Sequence, residues 1–194
     1  NVADHLDWVN KYSIQQALSM GEWDIITMQQ ASGVSGLYES YVPYLSQLIS
    51  AVNTTQPQAE IVWHMTWAYS VESQHPEFPN YDRNQQKMLD AIHQCVRNLK
   101  KDYRIKRIIP SGTTIQSLRL SEVNNPPMEF TRDGFHLDYK MGRYAAACTW
   151  FQALVAPSLK TTLAGNPCRL ADTKYPLTDE EALACQLAAR RACA

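Results

Sequence analysis

The chain has 194 residues, 45% of them apolar, with 18 Lys and Arg set against 19 Asp and Glu. That length fits one domain with a sizeable core. The even charge leaves no basic block for nucleic acid and no acidic arm, and no apolar run is long enough to span a bilayer.

Asn1-Val2-Ala3-Asp4 has no Met and no signal-peptide pattern. The expectation is a removed segment or a chain that starts partway through a larger one. Residues 5–20 read as helical, with Gly21 as a stop. Trp23-Asp24-Ile25-Ile26-Thr27-Met28 is a short apolar run, the mark of a strand buried on both faces. Tyr41, Val42, Leu45, Leu48, Ile49 and Val52 recur at helical spacing. Ile61-Val62-Trp63-His64-Met65 reads as a second buried strand. Met88, Leu89, Ile92, Cys95, Val96 and Leu99 repeat the helical stripe. A third strand is expected over 104–109, a short helix over 114–120, and a loop at Pro126-Pro127. Tyr144, Ala147, Cys148, Phe151, Leu154 and Val155 form another stripe, and Thr178 with Glu181 makes a capping box for a last helix.

Strand and helix alternate, which implies right-handed crossovers and a parallel sheet covered by helices. Ligands of such sheets sit outside the carboxyl ends of the strands. Three loops meet that rule: Gln29 to Gly36, Thr66 to Ser70, and Ser111 to Thr114. Five cysteines are an odd number; Cys95 and Cys148 read as buried thiols, and one disulfide is expected among Cys168, Cys185 and Cys193. None sits in a Cys-x-x-Cys pair, which argues against structural zinc.

The stretch Thr131-Arg132-Asp133-Gly134-Phe135-His136-Leu137 carries the chemistry. A carboxylate three residues before a His can hydrogen-bond its imidazole if the chain turns between them, as at a helix start. The carboxylate then fixes the tautomer and stabilises the imidazolium, the supporting half of a Ser-His-Asp triad. The bland alternative is a solvated His beside a helix-capping Asp. A metal reading would use Asp133, His136, His64 and Asp138, but there is no His-x-x-x-His pair and no cofactor is expected.

The runs Trp23 to Ser32, Trp63 to Tyr69, Ile109-Pro110-Ser111-Gly112-Thr113 and Asp133-Gly134-Phe135-His136-Leu137 together resemble an uncharacterised bacterial, DUF4886-like branch of the SGNH (GDSL-like) hydrolase superfamily. The resemblance covers most of residues 20–155. It implies a three-layer α/β/α, flavodoxin-like parallel sheet. It implies ester hydrolysis, often of acetyl groups on carbohydrates, with His136 and Asp133 as base and orienting acid. The family block that supplies an oxyanion-hole Asn falls on Gln29 and Gln30. The family's nucleophile serine, in a Gly-Asp-Ser or Gly-Asn-Ser turn, and the Gly-containing block after it have no counterpart here. The expectation is therefore one SGNH-like domain over 1–194, N-terminally incomplete and short of its first strands, with residues 165–194 as a C-terminal helical extension.

Ser32, Ser35 and Ser111 lie in the predicted edge loops, but none sits in a Gly-x-Ser-x-Gly elbow, and all read as turn residues. The Ser32 loop reads better as backbone amides that approach a substrate. His64 reads equally as a hydrogen-bonded core residue or a substrate contact. Trp63 and Trp67 could stack on a sugar, against a core role. His75 reads as exposed; Tyr81, Arg83 and Gln85 read as a solvated first helical turn. Arg132 reads as surface charge, with a pair to Asp133 or an anionic substrate as the other possibilities. The expected partner is a glycan or small-molecule ester, with a missing N-terminal segment as a second partner, and neither nucleic acid nor membrane. The expected location is secreted or periplasmic. A nucleophile-less module that only holds glycans is the competing reading.

Overall fold

The computed structural model describes residues 11–125, 129–163, 166–169 and 174–194. Ser13 caps the first helix, α1 (Ile14–Leu18): its hydroxyl accepts the Gln16 N–H while the Gln16 side chain accepts the Ser13 N–H. This is shorter than the helix expected over 5–20, of which residues 5–10 lie outside the described residues. The Pro126-Pro127 loop lies outside them too.

The protein is a mixed α/β structure built on a small parallel sheet of three strands: β1 (Ile25–Met28), β2 (Glu60–His64) and β3 (Arg107–Ile109), in that spatial order. Ile26 pairs with Ile61, and Trp63 with Ile108. Parallel neighbours need long crossovers. α2 (Tyr44–Thr55) lies on the first, and α3 (Gln85–Asp102), capped by Asn84, on the second. β2 is the central strand, and its adjacent residues Val62 and Trp63, which point to opposite faces, are 0% and 3% exposed. Trp63 belongs to a cluster with Tyr41 and Leu45 and, from α3, Met88, Leu89 and Ile92. Val62 packs instead with Ile109, Ala153 and Trp150.

The third expected strand is shorter than 104–109 because it starts late, at Arg107: Arg104 has φ +56°, which is not extended backbone. α4 (Ser111–Arg119) takes in Ser111-Gly112-Thr113-Thr114, which the sequence reads as a loop. α5 (Met141–Trp150) runs into a wider π turn at Phe151–Val155 and then α6 (Ala156–Leu159). Thr178 caps α7 (Asp179–Ala192) by the expected box with Glu181. α4, α5 and α7 share one core, in which Ala145, Ala182 and Ala189 are fully buried and their small side chains let the helices approach closely. All five cysteines are free thiols, so the disulfide expected among Cys168, Cys185 and Cys193 is not formed. The reason is placement: Cys185 is buried in the helical core, its thiol pointing to the Met141 carbonyl, while Cys168 is exposed.

The carboxyl ends of β2 and β3 lock to the start of α4. Met65 N–H donates to the Ile109 carbonyl at 3.0 Å, and Gly112 N–H to the Met65 carbonyl at 3.1 Å. A Cβ at Gly112 would stand 2.2 Å from the Thr66 carbonyl oxygen, a backbone atom that cannot swing aside. Gly112→Ala should therefore force strand end and helix start apart. Overpacking of that kind costs about 1–3 kcal/mol, so the thermal midpoint should drop by about 5 °C or more. An unchanged midpoint would show that the two segments separate freely.

Candidate functional site

The Asp-x-x-His stretch forms a closed turn, and not a helix start. Thr131 bridges Leu137 antiparallel, Arg132 N–H donates to the His136 carbonyl at 2.9 Å, and Asp138 N–H to the Phe130 carbonyl at 3.0 Å. Gly134 supplies the reversal with φ +90°, which favours glycine. The Asp133 carboxylate then works at both oxygens. Oδ1 accepts the backbone N–H of His136 at 2.7 Å and of Phe135 at 3.2 Å. Oδ2 lies 2.6 Å from His136 Nδ1. Partial burial pushes the Asp133 carboxyl up, but the hydrogen bonds from the His136 ring and the two backbone N–H groups outweigh it and hold it at about 2. The ionised carboxylate can only accept, so Nδ1–H donates to it and Nε2 carries the free lone pair. The His136 side chain is 55% exposed. No described residue hydrogen-bonds its Nε2.

This turn is docked on the loop after β2. Ser70 N–H donates to the Gly134 carbonyl at 2.8 Å, and the Trp67 indole N–H to the Phe135 carbonyl at 2.7 Å. The Phe135 ring lies between His136, 4.3 Å away between centroids, and His75, 4.7 Å away, with Tyr69 at 5.9 Å. Three side chains, Arg119, Glu129 and Gln85, hold the loop from behind, and of these the sequence reading names only Gln85, as part of a solvated helical turn. Buried Arg119 donates to the Ala68 carbonyl at 3.0 Å and to the Glu129 carbonyl, and pairs with the Glu129 carboxylate at 3.2 Å. Gln85 donates to both the Tyr69 carbonyl and the Glu129 carboxylate. Burial lowers the Arg119 guanidinium to about 10 despite Glu129, still charged at neutral pH. The only sequence signal for Arg119 is an arginine late in an otherwise apolar helix face, which fits a solvated cap just as well.

The strand ends carry a second polar chain. His64 Nδ1 lies 2.7 Å from Gln29 Oε1, and its Nε2 2.9 Å from Ser111 Oγ. An amide oxygen only accepts, so Nδ1 carries the proton and Nε2 accepts from the serine hydroxyl. Gln29, His64 and Ser111 follow or end β1, β2 and β3, so this chain ties all three strands at one edge. Burial alone lowers His64 to about 4, and the ring is neutral near pH 7.

The residues singled out by sequence thus divide. Asp133 and His136 come together, and Trp67 and Gly134 hold them. Gln29 is oriented by His64, and no described residue takes its amide N–H groups. Gln30 is spent on Ser40 and the Ala31 N–H. Ser32 Oγ meets the Tyr69 hydroxyl at 3.0 Å, a phenol that burial keeps protonated, so it gains no base. Ser35 is buried and bonded to the Ser32 carbonyl, and Ser111 is 0% exposed. Trp63 is core. Three readings are corrected. Gln85 is half-buried, not solvated, because the Tyr69 carbonyl and the Glu129 carboxylate take its amide N–H groups. His75 packs on Tyr69 and Phe135 because aromatic neighbours surround it, and it is half-buried. Tyr81 is buried and donates to the Gly33 carbonyl at 2.9 Å, because the chain at Phe78–Tyr81 makes a 3-10 turn before α3 starts. No group of His, Cys, Asp and Glu side chains suited to a metal occurs among the described residues, and no helix of the described residues is long and apolar enough to cross a membrane.

A family model described as a domain of unknown function, DUF4886, matches residues 5–168. The fold is similar to the crystal structure of a DUF4886 family protein from Bacteroides uniformis, with a TM-score of 0.83 and 38% sequence identity. The likeness covers 94% of this chain and 66% of that one, so this chain spans a little under two thirds of its neighbour's length. No curated protein matches the chain.

His64 generates a pH test. Its folded pKa, about 4, lies below the ordinary 6.5. The unfolded chain therefore takes the proton first. The stability this residue contributes is complete above about pH 6.5 and is lost as pH falls toward 4, by about 3 kcal/mol in all. Melts from pH 7 to 4 should show the loss, and the His64 ring signals in NMR should titrate below pH 5. A ring that titrates near 6.5 would contradict the buried neutral assignment.

Proposed function

The chain belongs to the DUF4886 family, and from that premise we propose that it is the greater part of an SGNH-type ester hydrolase with a three-layer α/β/α, flavodoxin-like fold. The substrate we propose is a carbohydrate ester, above all an acetyl ester. The observation that carries the reading is the Asp133–His136 pair: a docked turn, an ionised carboxylate on Nδ1, and an exposed Nε2 left open. That is the base-and-orienter half of a serine-hydrolase triad.

The serine comes from outside these 194 residues, in line with the sequence resemblance. Its Oγ attacks the ester carbonyl while His136 Nε2 takes the hydroxyl proton. Asp133 stabilises the imidazolium through Oδ2. The C–O bond to the alcohol then breaks, and His136 returns the proton to that oxygen. Water repeats the sequence on the acyl-enzyme and releases the acid and the serine. Gln29 contributes an amide N–H toward the oxyanion, since His64 occupies its oxygen; one such donor is worth about 10²–10³ in turnover. A secreted or periplasmic location suits an enzyme of glycan esters.

A second reading has one observation behind it. No serine among the described residues hydrogen-bonds His136, which also suits a module that holds glycans without cleaving them. The complete gene product assayed on an acetylated sugar decides between them. His136→Ala should reduce turnover by about 10³-fold or more with an unchanged fold, and Asp133→Asn by about 10³–10⁴ through the wrong tautomer. Near-normal hydrolysis by a well-folded His136→Ala protein would sink the esterase reading. The 194-residue chain by itself should show no turnover above that variant.

A further inference from the structure

We propose that Arg132 and Arg143 form a seat for a carboxylate beside the Asp133–His136 turn, so that the ester is carried on an acidic sugar. The proposal rests on the esterase reading and narrows its substrate class. Both guanidinium groups lie over one exposed ring. Arg132 Cζ is 5.0 Å and Arg143 Cζ 4.3 Å from the Tyr139 ring centroid. Tyr175 stacks on the same ring at 5.4 Å, with the planes 18° apart. The ring quadrupole holds the two cations in place, and Arg132 is fixed further by its bond to the Leu137 carbonyl at 3.2 Å.

Two like charges gathered on one ring call for a counter-charge, and the nearby carboxylates are engaged elsewhere. No Asp or Glu carboxylate among the described residues lies within 4 Å of the Arg143 guanidinium; Asp138 meets Arg143 only through the backbone, its carbonyl accepting the Arg143 N–H at 3.2 Å. Arg132 pairs with Asp133 only at long range, 3.9 Å, beyond a hydrogen bond, and that oxygen is held by His136. Asp138 spends its oxygens on the backbone N–H groups of Lys140 and Gly142. Other cations around the turn are paired: Lys140 with Glu181, Arg169 with Asp179, and Arg119 with Glu129. Arg143 also stands in the first turn of α5, where a cation opposes the helix dipole. A position that is electrostatically unfavourable in the free protein becomes favourable when an anion arrives.

The chemistry of the guests follows from the hosts. A guanidinium fork fits a planar carboxylate with two parallel hydrogen bonds. The seat adjoins the dyad, since Arg132 precedes Asp133 and its N–H holds the His136 carbonyl. A uronic acid whose neighbouring hydroxyl is acetylated would reach both.

The test reads binding separately from catalysis. Glucuronate and its neutral counterpart, glucose, are titrated into the labelled 194-residue chain and followed by NMR. Glucuronate should shift the Arg132, Arg143 and His136 signals saturably, and glucose should not. Arg132→Gln and Arg143→Gln, both at exposed positions, should each weaken that binding about tenfold or more with an unaltered backbone spectrum. Equal shifts from both sugars, no saturable shift with glucuronate, or variants that bind as the unmodified chain does would each overturn the seat. The two proposals fail differently. A complete gene product without esterase activity whose arginines still bind glucuronate keeps the seat and loses the esterase. An active esterase that binds no glucuronate keeps the enzyme and loses the seat.

Discussion

Two hydrogen bonds hold the site together: Ser70 N–H to the Gly134 carbonyl and the Trp67 indole to the Phe135 carbonyl. The Asp133 turn is a short surface excursion with few contacts of its own. Its internal bonds set its shape, while these two bonds, the Phe135 ring and the buried Leu137 side chain fix where it stands. The loop that receives it is fixed in turn. Arg119 and Gln85 grip its carbonyls at Ala68 and Tyr69, and both converge on Glu129. Glu129 lies just before the turn in sequence, so the network closes on itself: the residue that anchors the receiving loop also anchors the segment entering the docked one. Arg119 is more than nine-tenths buried, and its charge is tolerable only because carbonyls and a carboxylate take its N–H groups.

The sequence carries most of the sheet and one pair of the site. Apolar runs locate β1 and β2 to within about two residues; the burial on both faces that those runs predict holds for β2, while β1, at the sheet edge, is half-buried and exposes Thr27. β3 and the start of α4 are less legible. Ser111-Gly112-Thr113-Thr114 has the composition of a loop, and it is helical because Gly112 can lie against the Thr66 carbonyl where no other residue fits. Propensity contains no trace of that contact. The spacing of Asp133 and His136 was enough to bring them together, since a three-residue turn needs only local geometry. Arg119, Gln85 and Glu129 were not legible, because what gives each its meaning is a partner at least ten residues away. The same holds for Tyr81, which looks like a helix start until the Gly33 carbonyl is placed above it.

The two central histidines show how one side chain takes opposite roles from its surroundings. His64 has both nitrogens committed, to Gln29 and to Ser111, and is 7% exposed. Burial disfavours its cation, so it cannot accept a proton near neutral pH without breaking a bond that ties the strands. His136 has one nitrogen committed, to an ionised carboxylate, and the other in solvent. Its Nε2 has no partner among the described residues, whereas both nitrogens of His64 are taken. The Gln29–His64–Ser111 chain has the outline of a triad, with a serine, a histidine and an orienting side chain in line. It lacks the two physical requirements: a negative charge to stabilise the imidazolium, and a serine that a substrate can reach. The Asp133–His136 pair differs: a carboxylate faces Nδ1, and no described residue takes Nε2. The missing requirements leave His64 the work of tying Gln29 and Ser111 together at the strand ends.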